Sequence, residues 1–249
     1  MFLVFNDPQA VAQYVSERLV QLVKTKPQTI LGLATGSTME PVYQRFCRDA
    51  KEQGLDVSQL ISFNLDEYIG LSPEHPQSYH YYMNHHLFDH LDFAKQKTFL
   101  PEGMPDDIEA HCQQYSQKIA DHGGIDLQLL GVGSNGHIGF NEPGTSFNSR
   151  THVVHLSEQT RLDNGRFFDS MDEVPSRAIT MGMKDIMEAH EIVFIATGDN
   201  KAQVMFDLYE SAVDEQMPAS MLKEHKNTLF IVDKKAAALL PATACQFIE

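Results

Sequence analysis

Short, uninterrupted apolar runs separated by helical patterning constrain this chain more than any other feature in it. "TILGLA" (29–34), "LISFNL" (60–65), "IDLQLLGVG" (125–133), "EIVFIAT" (191–197) and "TLFIVD" (228–233) are rich in β-formers and show no polar alternation. That is the pattern of strands buried on both faces. Between them, apolar residues return at helical spacing. Val11, Val15, Leu19, Leu22 and Val23 follow Asp7-Pro8, where Asp7 supplies a capping oxygen and Pro8 suits the first helical position. Helical patterning also covers 78–89, 107–120 and 200–209. "MFLVF" reads as a first strand, "THVVHL" (151–156) alternates like an edge strand, and "RAITMG" (177–182) adds another. Strands alternating with helices predict an α/β fold: a single open, mostly parallel, Rossmann-like sheet with helices on both faces. No linker or repeat divides residues 1–249, so one domain is expected. The long polar stretch 70–105 reads as a lid-like insertion.

This architecture says where to look for chemistry, because ligands of open α/β sheets sit beyond the carboxyl ends of the strands. Those ends read "LATGST", "FNLDEY", "LLGVGSNGH" and "IATGDNK". Each is loaded with glycine or polar residues, and the four are expected to converge on one polar crevice.

Charge narrows the partners. The chain carries 34 acidic against 19 basic residues, a net charge of −15. Nucleic acid and anionic membranes are thereby disfavoured, and an anionic substrate needs a local cluster of donors. Cys47, Cys112 and Cys245 are odd in number and far apart, with no C-x-x-C, which suits a reducing cytosol. The N-terminus is apolar for five residues without a basic start, unlike a signal peptide. No apolar run approaches the roughly 20 residues of a membrane span. A cytoplasmic protein is expected.

The motifs at the strand ends differ in specificity. "GVGSNG" (131–136) satisfies G-x-G-x-x-G, but a dinucleotide loop must also open a helix and be followed by an acid about 20 residues on. Here "HIGFNEPGTSF" follows, with Gly139, Pro143 and Gly144 in it, which is no regular helix. "LATGST" has the glycine and hydroxyls of a single-phosphate loop but lacks the lysine of a P-loop. An ordinary turn with Thr35, Ser37 or Thr38 as helix cap is the alternative. In "FNLDEY", adjacent side chains on an extended segment point to opposite sides, so only one of Asp66 and Glu67 is expected in the crevice, as a base. His86 and His90 stand at i, i+4 spacing. Without the Glu of H-E-x-x-H or a third ligand, they read as surface residues, and no metal is expected.

With "ATGST", "FNLDEYIGL" and "GVGSNGHIGFNEPG" in this order and spacing, the chain resembles the glucosamine-6-phosphate deaminase family, which shares its fold with ribose-5-phosphate isomerase and 6-phosphogluconolactonase. The similarity covers essentially the whole chain, including "EHPQSY" and "RFFD". It implies conversion of glucosamine 6-phosphate and water to fructose 6-phosphate and ammonia in amino-sugar catabolism, without metal or organic cofactor. By resemblance, His137 opens the sugar ring, supported by Glu142 and Asn135, and Asp66 moves a proton from C2 to C1. The implied phosphate contacts are Gly36, Ser37, Thr38, Arg166 and Lys201, whose cations answer the unfavourable net charge.

Two departures from the family pattern carry expectations. Some members have Asp where this chain has Asn135. An asparagine cannot hold a proton, but its carbonyl can orient an imidazole N–H, leaving Glu142 as the only charged partner of His137, so Glu142→Gln is expected to impair ring opening much more than Asn135→Asp. Larger relatives bind N-acetylglucosamine 6-phosphate between subunits through cations soon after "NEP" and a longer tail. His152 and Val154 stand in those places and the sequence stops at Glu249, so weak or absent activation is expected. The implied partner is a small sugar phosphate, with a homo-oligomer left open. Rival readings are a galactosamine-6-phosphate deaminase, a 6-phosphogluconolactonase, and a non-catalytic sugar-phosphate sensor. The sensor has no need of both Asp66 and His137.

Overall fold

The computed structural model describes residues 1–165, 168 and 170–248, with the side chains at 159, 163 and 164 outside that description. Eight strands form one parallel sheet: Phe2–Phe5 (β1), Ile30–Leu33 (β2), Ile61–Asn64 (β3), Thr98–Phe99 (β5), Leu127–Leu130 (β6), Glu191–Ala196 (β9), Thr228–Asp233 (β10) and Cys245–Phe247 (β11). Their order is β11-β1-β10-β9-β6-β2-β3-β5. From β2 the chain steps outward through β3 to β5; from β6 it steps the other way through β9 to β10. The direction therefore switches between β2 and β6, where an open α/β sheet forms its ligand crevice.

The remaining strands, Asp66–Tyr68 (β4), His152–His155 (β7) and Arg177–Thr180 (β8), make a second, antiparallel sheet in the order β4-β8-β7. The alternating "HVVH" is an edge strand, but of this smaller sheet. The hinge between the sheets is Leu65: its N–H donates to Leu33 in the parallel sheet (3.1 Å), while its carbonyl accepts from Met181, just past β8 (2.6 Å). A one-residue transfer of this kind turns "DEY" out of the main sheet and toward the crevice.

The helices are Pro8–Thr25 (α1), Glu40–Glu52 (α2), Tyr79–His86 (α3), Ile108–Asp121 (α4), Glu158–Gly165 (α5), Met183–Met187 (α6) and Ala202–Glu210 (α7). Asp7 caps α1 by accepting the Ala10 N–H, with Pro8 in the first turn, and Asp107 caps α4 in the same way. One hydrophobic cluster packs the parallel sheet against its helices, with Leu31, Leu129, Phe63 and Phe194 at 1% exposure or less. A smaller cluster of Tyr68, Phe140, Leu156 and Ala178 underlies the second sheet. The insertion 70–105 closes on itself where Gly70 N–H donates to the Gly103 carbonyl (2.8 Å). Within it, α3 ties to the loop after β2 through Tyr82 Oη, which donates to the Gly36 carbonyl (2.9 Å), and β5 extends the sheet beside β3. Among the described residues, no helix is long and apolar enough to cross a membrane.

Candidate active site

A cavity of about 500 Å³ opens at the carboxyl ends of the central strands. All four polar strand ends reach it: residues 34–38 after β2, Leu65 and Asp66 after β3, residues 131–134 and His137 after β6, and Asn200 and Lys201 after β9. Tyr79 of α3 and Thr160 of α5 complete the wall from outside the sheet.

The loop 35–38 leads into α2, yet its hydroxyls do not cap that helix. The cap position is Met39, without a side-chain hydrogen bond. Ser37 and Thr38 instead face the cavity beside Gly36. Lys201, on the same cavity, is presented by a turn that Asp233 shapes, since this buried carboxylate accepts the N–H of Gly198 (3.0 Å) and of Ala236 (2.7 Å). Lys201 Nζ donates to the Val132 carbonyl (2.9 Å), which places its charge at the cavity rim. Hydroxyls and an ammonium on one cavity suit a phosphate group. Arg166, the other phosphate contact expected from the sequence, lies outside the described residues.

Asp66 and Glu67 diverge as adjacent residues of an extended strand should. Asp66 lines the cavity at 5% exposure, while Glu67 turns toward α3. Burial, reinforced by the neighbouring Glu67 charge, pushes the Asp66 carboxyl up to about 8. The backbone at Gly139 passes against this carboxylate. With φ +56, a Cβ there would meet Thr180 Oγ1 at 3.1 Å and Asp66 Oδ2 at 3.2 Å.

"GVGSNGH" opens no helix and continues through tight turns held by an Ile138–Asn141 bridge. Buried Asn141 fastens the loop by donating to the carbonyls of Ile138 (2.9 Å) and Met181 (2.8 Å). The His137 imidazole lies directly over Gly133, where a Cβ would come within 2.0 Å of its Cε1. Glu142 stands behind the ring, its Oε2 3.8 Å from His137 Nδ1.

Asn135 joins these two residues. Its Oδ1 accepts the His137 backbone N–H (3.2 Å) and its Nδ2 donates to Glu142 Oε2 (2.8 Å). The first turn of α5 grips the other carboxylate oxygen: Glu142 Oε1 accepts from Ser157 Oγ (3.1 Å) and, by a short bond, from Thr160 Oγ1. Burial pushes the Glu142 carboxyl up, but the bonds from Thr160, Asn135 and Ser157, with the nearby His137, bring it below its ordinary value. The carboxylate on the cavity wall, Asp66, and the one beside His137, Glu142, are thus driven apart, one toward the protonated and one toward the ionised form. Such divergence is what separates acid–base roles within a site.

Sequence reasoning did not find Tyr79, Ser157 or Thr160. All three arrive from helix starts distant in the chain; the only local hint was Ser157, whose Oγ accepts the Thr160 N–H in a capping arrangement. The histidines of 80–90 take no part in the cavity. His90 Nε2 lies 2.8 Å from the His85 carbonyl oxygen. Among the described residues, no group of three or more His, Cys, Asp or Glu is arranged to hold a metal.

Known proteins share both sequence and shape. Residues 8–231 match the family described as glucosamine-6-phosphate isomerases/6-phosphogluconolactonase. The chain is 49% identical to a glucosamine-6-phosphate deaminase of Geobacillus sp. (strain WCH70), over 94% of this chain and 93% of that protein. A solved monomeric glucosamine-6-phosphate deaminase superposes with a TM-score of 0.94 at 43% identity, covering 96% of this chain and 100% of the other. The 6-phosphogluconolactonase of Trypanosoma brucei, 19% identical with a TM-score of 0.77 over 97% and 98% of the two chains, shares the fold. The chain belongs to the glucosamine-6-phosphate isomerase/6-phosphogluconolactonase family.

Proposed function

We propose that the protein is a glucosamine-6-phosphate deaminase of amino-sugar catabolism, working in the cytoplasm as a single domain. The observation that supports this most is the meeting of a protonatable carboxyl (Asp66) and a histidine (His137) on the wall of one cavity that the hydroxyl loop and Lys201 also line. A lactonase or a passive sugar-phosphate binder has no use for that pair.

In this reading the loop 36–38, with Lys201 and Arg166, holds the phosphate. His137 removes the proton of the C1 hydroxyl and delivers one to the ring oxygen, work suited to an imidazole because its ordinary pKa lies near 6.5. Glu142, held ionised by its four neighbours, steadies the imidazolium formed between the two transfers. The ring-opened amino-aldose then presents its C2–H to Asp66. A raised carboxyl is a stronger base once ionised, which a weakly acidic C–H demands. Asp66 takes the C2 proton and returns it to C1, leaving a C2 iminium that water hydrolyses to the ketone and ammonia. The reading calls for no metal or organic cofactor.

The test is formation of ammonia and fructose 6-phosphate from glucosamine 6-phosphate in the presence of a chelator, with the galactosamine epimer alongside. Both products from the glucosamine compound alone support the reading. Turnover of the epimer alone moves the substrate to galactosamine 6-phosphate, and silence on both, with the sugar phosphates bound, makes the protein a sensor.

A further inference from the structure

Glu67 is a buried carboxylate that the proton transfers above do not use. It is 1% exposed and follows Asp66 directly on β4. Its side chain points away from the cavity, into the start of α3. Three backbone N–H groups and one ring nitrogen converge on it. Oε1 accepts from Tyr68 N (2.8 Å) and Tyr79 N (2.9 Å); Oε2 accepts from His80 N (2.9 Å) and lies 2.8 Å from His80 Nδ1.

Two of these donors, at Tyr79 and His80, are first-turn amides of α3, which no carbonyl of the helix itself can satisfy. Ser78 already caps the next one, accepting from Tyr81 N (3.1 Å). A side chain from a strand therefore shares the capping of this helix with the helix's own cap. The consequence falls on Tyr79, the first residue of α3. Its ring lines the catalytic cavity, and its hydroxyl hydrogen-bonds to Tyr68 Oη (3.4 Å) and to Thr35. A helix that needed only an N-terminal cap would be served by an exposed Asp or Asn, without burying a charge beside Asp66.

We propose that Glu67 is a positioning residue for catalysis: it pins Tyr79 into the cavity wall and keeps a carboxylate charge at the back of Asp66. The inference rests on Asp66 being the base of the reaction proposed above. Among the described residues, the titratable groups that face this pair are Tyr68 on β4, Tyr79 and His80 on α3, and Tyr115 on α4. The neighbouring negative charge disfavours ionisation of Asp66, which agrees with its raised carboxyl. Without that charge, Asp66 ionises at lower pH and becomes a weaker base.

The test compares the wild-type protein with Glu67→Gln and Glu67→Asp. Titration of Asp66 followed by carboxyl ¹³C NMR needs no turnover, so it reads the inference even if the wild-type protein releases no ammonia and the deaminase reading falls. In Glu67→Gln, Asp66 is expected to titrate at least about one pH unit lower than in the wild type. The acid limb of kcat/KM is expected to move with it. An Asp66 titration that stays in place in a folded Gln variant overturns the proposal and leaves Glu67 a structural cap. If the Gln variant does not fold, Glu67→Asp carries the test. It keeps the charge but retracts it by one methylene, so Asp66 should titrate nearly as in the wild type while KM rises about tenfold because Tyr79 is released. An unchanged KM overturns the proposal.

Discussion

The imidazole of His137 rests on the backbone of Gly133, so close that a single added methyl at 133 would lie 2.0 Å from Cε1. The second glycine of "GVGSNGH" thus serves the histidine that ends the motif. Gly133 N–H also donates to the His137 carbonyl (3.0 Å), which closes the turn between the two residues. Gly133→Ala is therefore expected to displace the ring while leaving the sheet intact. A catalytic group moved by an ångström costs about 100-fold. Turnover of glucosamine 6-phosphate should fall by that order with little change in Tm.

Asp66 ties the proposed proton transfer to stability. Its folded-state carboxyl sits near 8, above the 3.8 of an ordinary aspartate, so the folded protein binds a proton there that the unfolded chain has lost. Stability contributed by this group is present below about pH 4 and is lost as pH rises toward 8. At 1.36 kcal/mol per pH unit, the loss is on the order of a few kcal/mol. Asp66→Asn should consequently be more stable than the wild type at pH 8, with the gap closing toward pH 4, as read by denaturant unfolding at both pH values.

Glu142 and Asn135 can be separated. Glu142→Gln removes the charge that faces His137 at 3.8 Å, and should slow ring opening about 100-fold. Asn135→Asp keeps an acceptor for the His137 N–H but replaces the donor that Glu142 Oε2 accepts, setting two carboxylates together. The pair then holds a proton to higher pH. A loss of about tenfold is expected, with the acid limb of the rate profile moved upward. Rates of anomer exchange in glucosamine 6-phosphate, which report ring opening alone, check both variants.

Lys201 should act on binding more than on chemistry. Lys201→Ala is expected to raise KM for glucosamine 6-phosphate about 10- to 100-fold, the worth of a charge-assisted hydrogen bond, while kcat changes less. Competition by inorganic phosphate should weaken in parallel.

Much of this was legible in the sequence, for physical reasons that differ by element. β2, β6 and β9 are almost wholly buried, so their composition is mainly apolar, and each is followed within a few residues by a glycine, Gly36, Gly131 and Gly198. Because the ligands of such a sheet sit at its strand ends, Asp66, His137 and the 36–38 loop were legible as residues of the cavity wall. β4 was not: "DEY" has no apolar signature, and its pairing with β8 comes from the turn at Leu65, a tertiary event. The two- and three-residue edge strands β5 and β11 are too short to show a period. Thr160 and Tyr79 reach the cavity from helix starts, where sequence reads only a cap. Asn135 was expected to orient the His137 imidazole through its carbonyl; in the structure that oxygen accepts the His137 backbone N–H, and the amide bonds Glu142 because the turn brings positions 135 and 142 side by side.

The central claim is that one cavity opens a phosphorylated amino-sugar ring with His137 and then moves its C2 proton with Asp66. The most direct measurement follows anomer exchange and ammonia release from glucosamine 6-phosphate in the wild type, Asp66→Asn and His137→Gln. The wild type should do both, Asp66→Asn should exchange anomers but release almost no ammonia, and His137→Gln should fail at the first step. Ammonia release undiminished in Asp66→Asn, or a wild type that releases none, would contradict it.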